Sequence, residues 1–139
     1  MKQLDPPAAK VVAIFNTSPD LVDMLRAVFE LAGFVVVSLL TYQIRQGEVD
    51  IETFLRQHKP DVIVYDIAPP YEPNWRLFQH ICRIPSMAEC QLILTSTNAA
   101  RVSELVGTNR QIYEIVGKPF DLDVILTAVR DAAHARPTH

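Results

Sequence analysis

Five short apolar runs, each followed by an amphipathic stretch, constrain this chain's fold more than any other feature. The runs are Val11 to Phe15, Phe34 to Leu40, Val62 to Tyr65, Gln91 to Leu94 and Ile112 to Val116. All have strand length, and the first and third show no polar face, as expected of strands covered on both sides. After the first run, Ser18-Pro19-Asp20 reads as an N-cap, a proline at the first helical position and an acid facing the helix dipole. Leu21, Leu25, Val28 and Ala32 then form one helical stripe, ended by Gly33. A polar segment, Thr41 to Val49, leads to Asp50 as the cap of a second helix, Ile51 to His58, stopped by Pro60. A proline-rich loop (Pro69, Pro70, Pro73) precedes a third helix of about ten residues from Trp75, with Leu77, Ile81 and Ile84 inward. A short fourth helix spans Ala99 to Val106. Asp121 caps a fifth, with Leu122, Ile125, Val129 and Ala132 inward.

Strict alternation of strand and helix requires right-handed crossovers and a parallel sheet with helices on both faces. The expected fold is therefore α/β, a doubly wound five-stranded parallel sheet of the flavodoxin-like (βα)5 kind. The apolar first and third strands belong at its centre, which fits the order 2-1-3-4-5. Glu114 marks the fifth strand as an exposed edge. The 139 residues suffice for one domain, expected over 10–133, with disordered tails at 1–9 and 134–139.

Composition removes several function classes. The four glycines (Gly33, Gly47, Gly107, Gly117) are never closer than ten residues apart, so neither a dinucleotide turn nor a Walker phosphate loop can be built. Net charge is −3, and the 13 Lys and Arg do not cluster, which argues against direct nucleic-acid binding. Cys82 and Cys90 match no redox pair or zinc framework and read as buried thiols of a reduced cytosolic chain. His58, His80, His134 and His139 lack ligand spacing. MKQLDPPAAK is not a signal peptide and no apolar run reaches membrane-span length. A cytoplasmic protein that does not engage a membrane is expected.

In a doubly wound sheet, chemistry collects beyond the carboxyl ends of the strands. There this chain places Asn16 and Thr17, Asp66, Thr95 and Ser96, and Lys118. One carboxylate, one hydroxyl and one ammonium meeting at such a cleft can make a phosphoryl or oxyanion site.

Those residues also carry a resemblance. VVAIF followed by NTSPDLVDMLRAVFELAGF, then PDVIVYDIAPP, LILTS and VGKPFD, resembles a response-regulator receiver domain of two-component signalling over about Lys10 to Ala133. Lys118 lies 52 positions after Asp66, which fits the family's layout. The resemblance implies that Asp66 accepts a phosphoryl group from a sensor histidine kinase or phosphotransfer protein. It implies that Thr95 and Lys118 contact the phosphate, and that Lys118-Pro119 is cis. Magnesium would be held by Asp66, the Ala68 backbone carbonyl and the two positions after the first strand. It also implies a signalling domain rather than an enzyme, with a downstream protein partner. Arg101, Ile115 and Arg130 would lie on the face formed by the fourth helix, fifth strand and fifth helix, through which such domains homodimerise or meet partners; Arg110 lies nearby.

The departures from the family are specific. Its acidic pair after the first strand is replaced by Asn16 and Thr17, leaving a weak or absent magnesium site, because that ion takes hard anionic oxygens. A net loss of about 3 kcal/mol would weaken metal binding roughly a hundredfold. Asp66 against Lys118 is neutral without metal, through a charge-assisted hydrogen bond. Ile115 stands where the family commonly has an aromatic, with Tyr113 two positions earlier. Asn74, which tolerates a left-handed backbone, stands where it often has glycine before the third helix. Trp75 reads as a packing residue at that helix start.

Three readings follow. The first is an atypical receiver acting through protein–protein interaction, with Asp66 as candidate phosphoacceptor and an impaired magnesium site. The second is a working magnesium-dependent phosphoacceptor. The third is a flavodoxin-like cofactor binder using Asn16, Thr17 and Ser18 around a phosphate, disfavoured because that loop has no glycine. No output domain follows the last helix, as expected of a stand-alone receiver or of a fragment of a longer chain.

Overall fold

The structure, a computed structural model, describes residues 9–108 and 111–135. Residues 1–8 and 136–139 of the expected tails, with Arg110 and His139, lie outside the described residues. In chain order the elements are β1 (Val11–Asn16), α1 (Pro19–Leu31), β2 (Val35–Leu40), α2 (Thr41–Arg45), α3 (Ile51–His58), β3 (Val62–Asp66), α4 (Tyr71–Cys82), a 3-10 turn (Pro85–Glu89), β4 (Gln91–Ser96), α5 (Ala99–Val106), β5 (Ile112–Gly117) and α6 (Leu122–His134). The strands form one parallel sheet in the order β2-β1-β3-β4-β5. This is the architecture expected from the alternation. Helix α6 runs one residue beyond the expected domain end.

Strand periodicity sorts the core into two layers. Ala13, Phe15, Ile63, Tyr65, Leu92 and Leu94 face α3, α4 and α5. Val12, Ile14, Val62, Val64 and Ile93 face α1 and α6. Every residue of β3 is buried, whereas β5 shows Tyr113 and Glu114 to solvent, as an edge strand should. Beneath the strand ends Tyr65 packs edge-on against Phe15, with centroids 5.7 Å apart, and tilted against Phe78 at 4.7 Å.

Local chemistry sets the helix ends. Ser18 Oγ accepts the Leu21 N–H at 3.3 Å with Pro19 in the first turn, and Gly33 closes α1 at φ +96°. Asp50 accepts the Glu52 N–H at 3.1 Å and caps α3. Asp121 occupies the position before α6, but its side chain makes no capping bond; its carbonyl accepts from Val124 N at 3.0 Å instead.

Four expectations need correction. The segment after β2 is not wholly irregular: Thr41–Arg45 forms α2, whose Gln43 side chain accepts the Leu40 N–H at 3.0 Å. The buried stripe of α1 is Val22, Leu25 and Phe29, with Leu21 and Val28 on its flank. Helix α4 begins at Tyr71 rather than Trp75 and includes Pro73, because first-turn N–H groups need no helical acceptor. Asn74 is thus a buried helical residue, not a left-handed loop residue. On α6, Leu122 faces solvent, and Ile125, Ala128, Val129 and Ala132 carry the packing.

Candidate functional site

Three strands deliver the residues that the sequence places together. Asp66 ends β3 and pairs in register with Thr95 of β4, while Ser96 pairs with Gly117, directly before Lys118. Parallel pairing therefore sets a carboxylate, a hydroxyl and an ammonium on adjacent strand ends. Thr95 Oγ1 donates to Asp66 Oδ1 at 2.7 Å, and Lys118 Nζ meets the same oxygen at 2.7 Å. The carboxylate is 4% exposed and the ammonium side chain 18%. This is a partly desolvated, charge-assisted pair.

Backbone bonds hold the three ends in place. Ile67 N donates to Thr95 O at 2.8 Å, Lys118 N to Ser96 O at 2.7 Å, and Ser96 Oγ to Ile67 O at 2.9 Å. Ser96 is thereby a structural residue, buried and fully engaged between two loops. The Lys118-Pro119 bond is cis, as is Pro69-Pro70.

The positions that the resemblance assigns to magnesium make other contacts. Asn16 is buried, and its Oδ1 accepts the Ser18 N–H at 3.0 Å, so its side chain closes the turn after β1. Thr17 is exposed at the cleft rim. The Ala68 carbonyl accepts from Asn74 Nδ2 at 2.6 Å, and Asn74 Oδ1 in turn accepts from Arg45 Nη2 at 2.6 Å. Among the described residues, no three His, Cys, Asp or Glu side chains come together as a metal cluster.

Arg45 and Thr41, both on α2, are additions that the sequence reading missed. With Thr17, Asp66, Ala68 and Asn74 they line a cleft too tight to admit a water molecule. The Thr41 hydroxyl is buried and has no hydrogen-bond partner among the described residues. Burial pushes the Tyr65 phenol well above its ordinary range, and Arg45 opposes that shift electrostatically. The one sequence signal for this pair was its spacing, since residues four apart share a helix face.

The residues expected on an interaction face are spread over three elements. Arg101 of α5 is turned toward α4, paired with Glu72 and with Glu104 at 3.3 Å. Ile115 of β5 is half-buried, and Arg130 of α6 is exposed. Both cysteines are free; Cys90 is buried as expected, Cys82 only half-buried, and burial pushes each thiol up to about 12. None of the described helices is long and apolar enough to cross a membrane.

The doubly wound fold is that of response-regulator receiver domains. Among solved structures, the chain matches the non-phosphorylated HemR receiver domain from Leptospira biflexa at 18% identity and TM-score 0.71, over 94% of this chain and 98% of that one. A response regulator from Thermotoga maritima matches at 19% identity and TM-score 0.69, over 92% and 100%. A CheY-like receiver domain protein from Methanospirillum hungatei matches at 13% and 0.70, over 91% and 94%. At such identities the likeness establishes the fold. No family model matches the chain, and no curated protein matches it in sequence.

Proposed function

We propose that this chain is a receiver-like signalling domain of two-component phosphorelay type that acts through protein–protein contacts rather than as an enzyme. Asp66 is its candidate phosphoacceptor, and its magnesium site is impaired. The observation that carries this reading is the convergence of Lys118 and Thr95 on one Asp66 oxygen, both at 2.7 Å. The partners this implies are a histidine kinase or phosphotransfer protein upstream and a protein downstream, with the α5, β5 and α6 surface available for homodimerisation.

In the transfer step, an Asp66 carboxylate oxygen forms a new bond to phosphorus. The donor's P–N bond (phosphohistidine) or P–O bond (acyl phosphate) breaks, and the leaving group departs with the electron pair. Lys118 and Thr95 must release Asp66 and turn to the phosphoryl oxygens, where their donors offset the added negative charge. The residues present do not fit magnesium well. Asp66 Oδ1 is already engaged twice, the Ala68 carbonyl accepts from Asn74, and Asn16 closes a turn.

Intact mass after incubation with a small acyl phosphate tests this, with Asp66→Asn alongside. The expected result is slow addition of one phosphoryl group, lost in the variant and equal in magnesium and in chelator. Fast, magnesium-dependent addition would instead establish a conventional phosphoacceptor. Addition that survives in Asp66→Asn, or no addition at all, would remove Asp66 as the acceptor.

A further inference from the structure

The cleft holds a cation that neither the fold nor the sequence motifs assign. Arg45 of α2 lines the cleft and donates to Asn74 Oδ1 at 2.6 Å, while Asn74 donates to the Ala68 carbonyl at 2.6 Å. The backbone oxygen most suited to a metal is therefore spoken for through a two-bond relay that ends on a guanidinium. Thr41, on the same short helix, leaves at the cleft a buried hydroxyl with no hydrogen-bond partner among the described residues. Asp66, Lys118 and Arg45 give the cleft a formal charge of +1. Binding a divalent cation would add charge of the wrong sign, whereas a phosphoryl dianion on Asp66 would bring the same set to neutrality.

We propose that Arg45 is a tethered replacement for the divalent cation: its guanidinium, held by Asn74, excludes metal and supplies the positive charge for a phosphoryl oxyanion. This deepens the receiver reading and rests on the same cleft. Its test uses no phosphoryl donor, so it can fail while Asp66 still accepts phosphate, and the reverse. Arg is suited to the role because it stays charged and its planar fork can bond both an amide oxygen and an oxyanion. Since Arg45 is exposed, its effect on a cation must weaken with salt.

The experiment is Mn2+ titration of the full chain at low ionic strength, read by quenching of Trp75, the single tryptophan, which follows Asn74 on α4. The background is Asn16→Asp with Thr17→Asp, which restores carboxylates while leaving Arg45 in place. Adding Arg45→Gln, which keeps an amide donor for Asn74, should tighten Mn2+ binding about tenfold, a gain that shrinks with added salt. Adding Arg45→Lys, which keeps the charge, should give no such gain. An Arg45→Gln variant no tighter than its background, or an Arg45→Lys variant equally improved, would overturn the proposal. Tight Mn2+ binding by the unmodified chain would overturn it as well.

Discussion

The Asp66–Lys118 pair allows a test of the cleft's charge by stability alone. Removing Lys118 as Lys118→Met leaves a carboxylate only 4% exposed, with Thr95 its one remaining hydrogen-bond partner among the described residues. Breaking a buried pair in this way costs about 3–5 kcal/mol. The ammonium side is 18% exposed and so partly solvated, which places the expected loss near the lower end, about 3 kcal/mol. Against a total stability of about 5–15 kcal/mol that is a large fraction. Asp66→Asn is milder: the amide oxygen still accepts from Thr95, and Lys118 can extend toward water. Its loss should be about 1.5 kcal/mol, near the value for a hydrogen bond to a charged group. With a urea slope of about 2 kcal/mol/M, the midpoints should fall by about 1.5 M and 0.75 M. In the double variant the losses should not add, because the two groups touch. The assay is equilibrium urea unfolding at neutral pH followed by Trp75 fluorescence. In a cleft crowded with carboxylates, neutralising Asp66 would relieve repulsion and raise the midpoint. A rise on Asp66→Asn would therefore refute the neutral-pair argument outright.

Two further outcomes follow from the packing. With both thiols pushed up to about 12, native alkylation by iodoacetamide at pH 8.5 should run at least about a hundredfold slower than in denaturant, where Cys ionises near 8.5, and should rise about tenfold per pH unit. Rapid native labelling of either cysteine, followed by mass, would contradict the burial. Ser18→Ala removes the acceptor for Leu21 N and should cost about 1 kcal/mol, seen as a lower thermal midpoint; an unchanged midpoint would show that the cap is solvent-satisfied.

The sheet and the Asp66–Thr95–Lys118 triad were legible in the sequence for one reason. Each residue lies at or just past the end of an apolar run, and parallel register fixes the relative height of those ends. Locating the runs therefore located the site, and the chain between them hardly mattered. The helix faces were less legible. In α1 the stripe starting at Leu21 and that starting at Val22 both have helical spacing, and Phe29 decided between them by filling the space beneath β1 and β2. On α6 the same ambiguity put Leu122 in water. Helix α2 has five residues, too few for a periodic pattern, and its form depends on the Gln43 back-bond and on Thr41 going inward.

Arg45 shows why the remainder of the site was hidden. Apart from its spacing of four from Thr41, nothing at position 45 distinguishes it from other surface arginines; its proposed role depends on Asn74, and the role of Asn74 depends on where α4 begins. A helix starting at Trp75 would leave Asn74 in a loop, free to turn as a glycine would. Starting at Tyr71, α4 buries Asn74 and lets one amide face the Ala68 carbonyl and the Arg45 guanidinium together. Against the receiver pattern that the sequence resembles, Asn16 and Thr17 stand where two carboxylates are expected, a subtraction legible in the sequence. The compensating charge we propose, Arg45, comes from a different helix, through Asn74, whose position is set by a proline tolerated in a first turn. Charge balance in such a cleft is a property of the folded neighbourhood, so a missing metal ligand in one motif should be sought as an added cation in any segment that reaches the same strand ends.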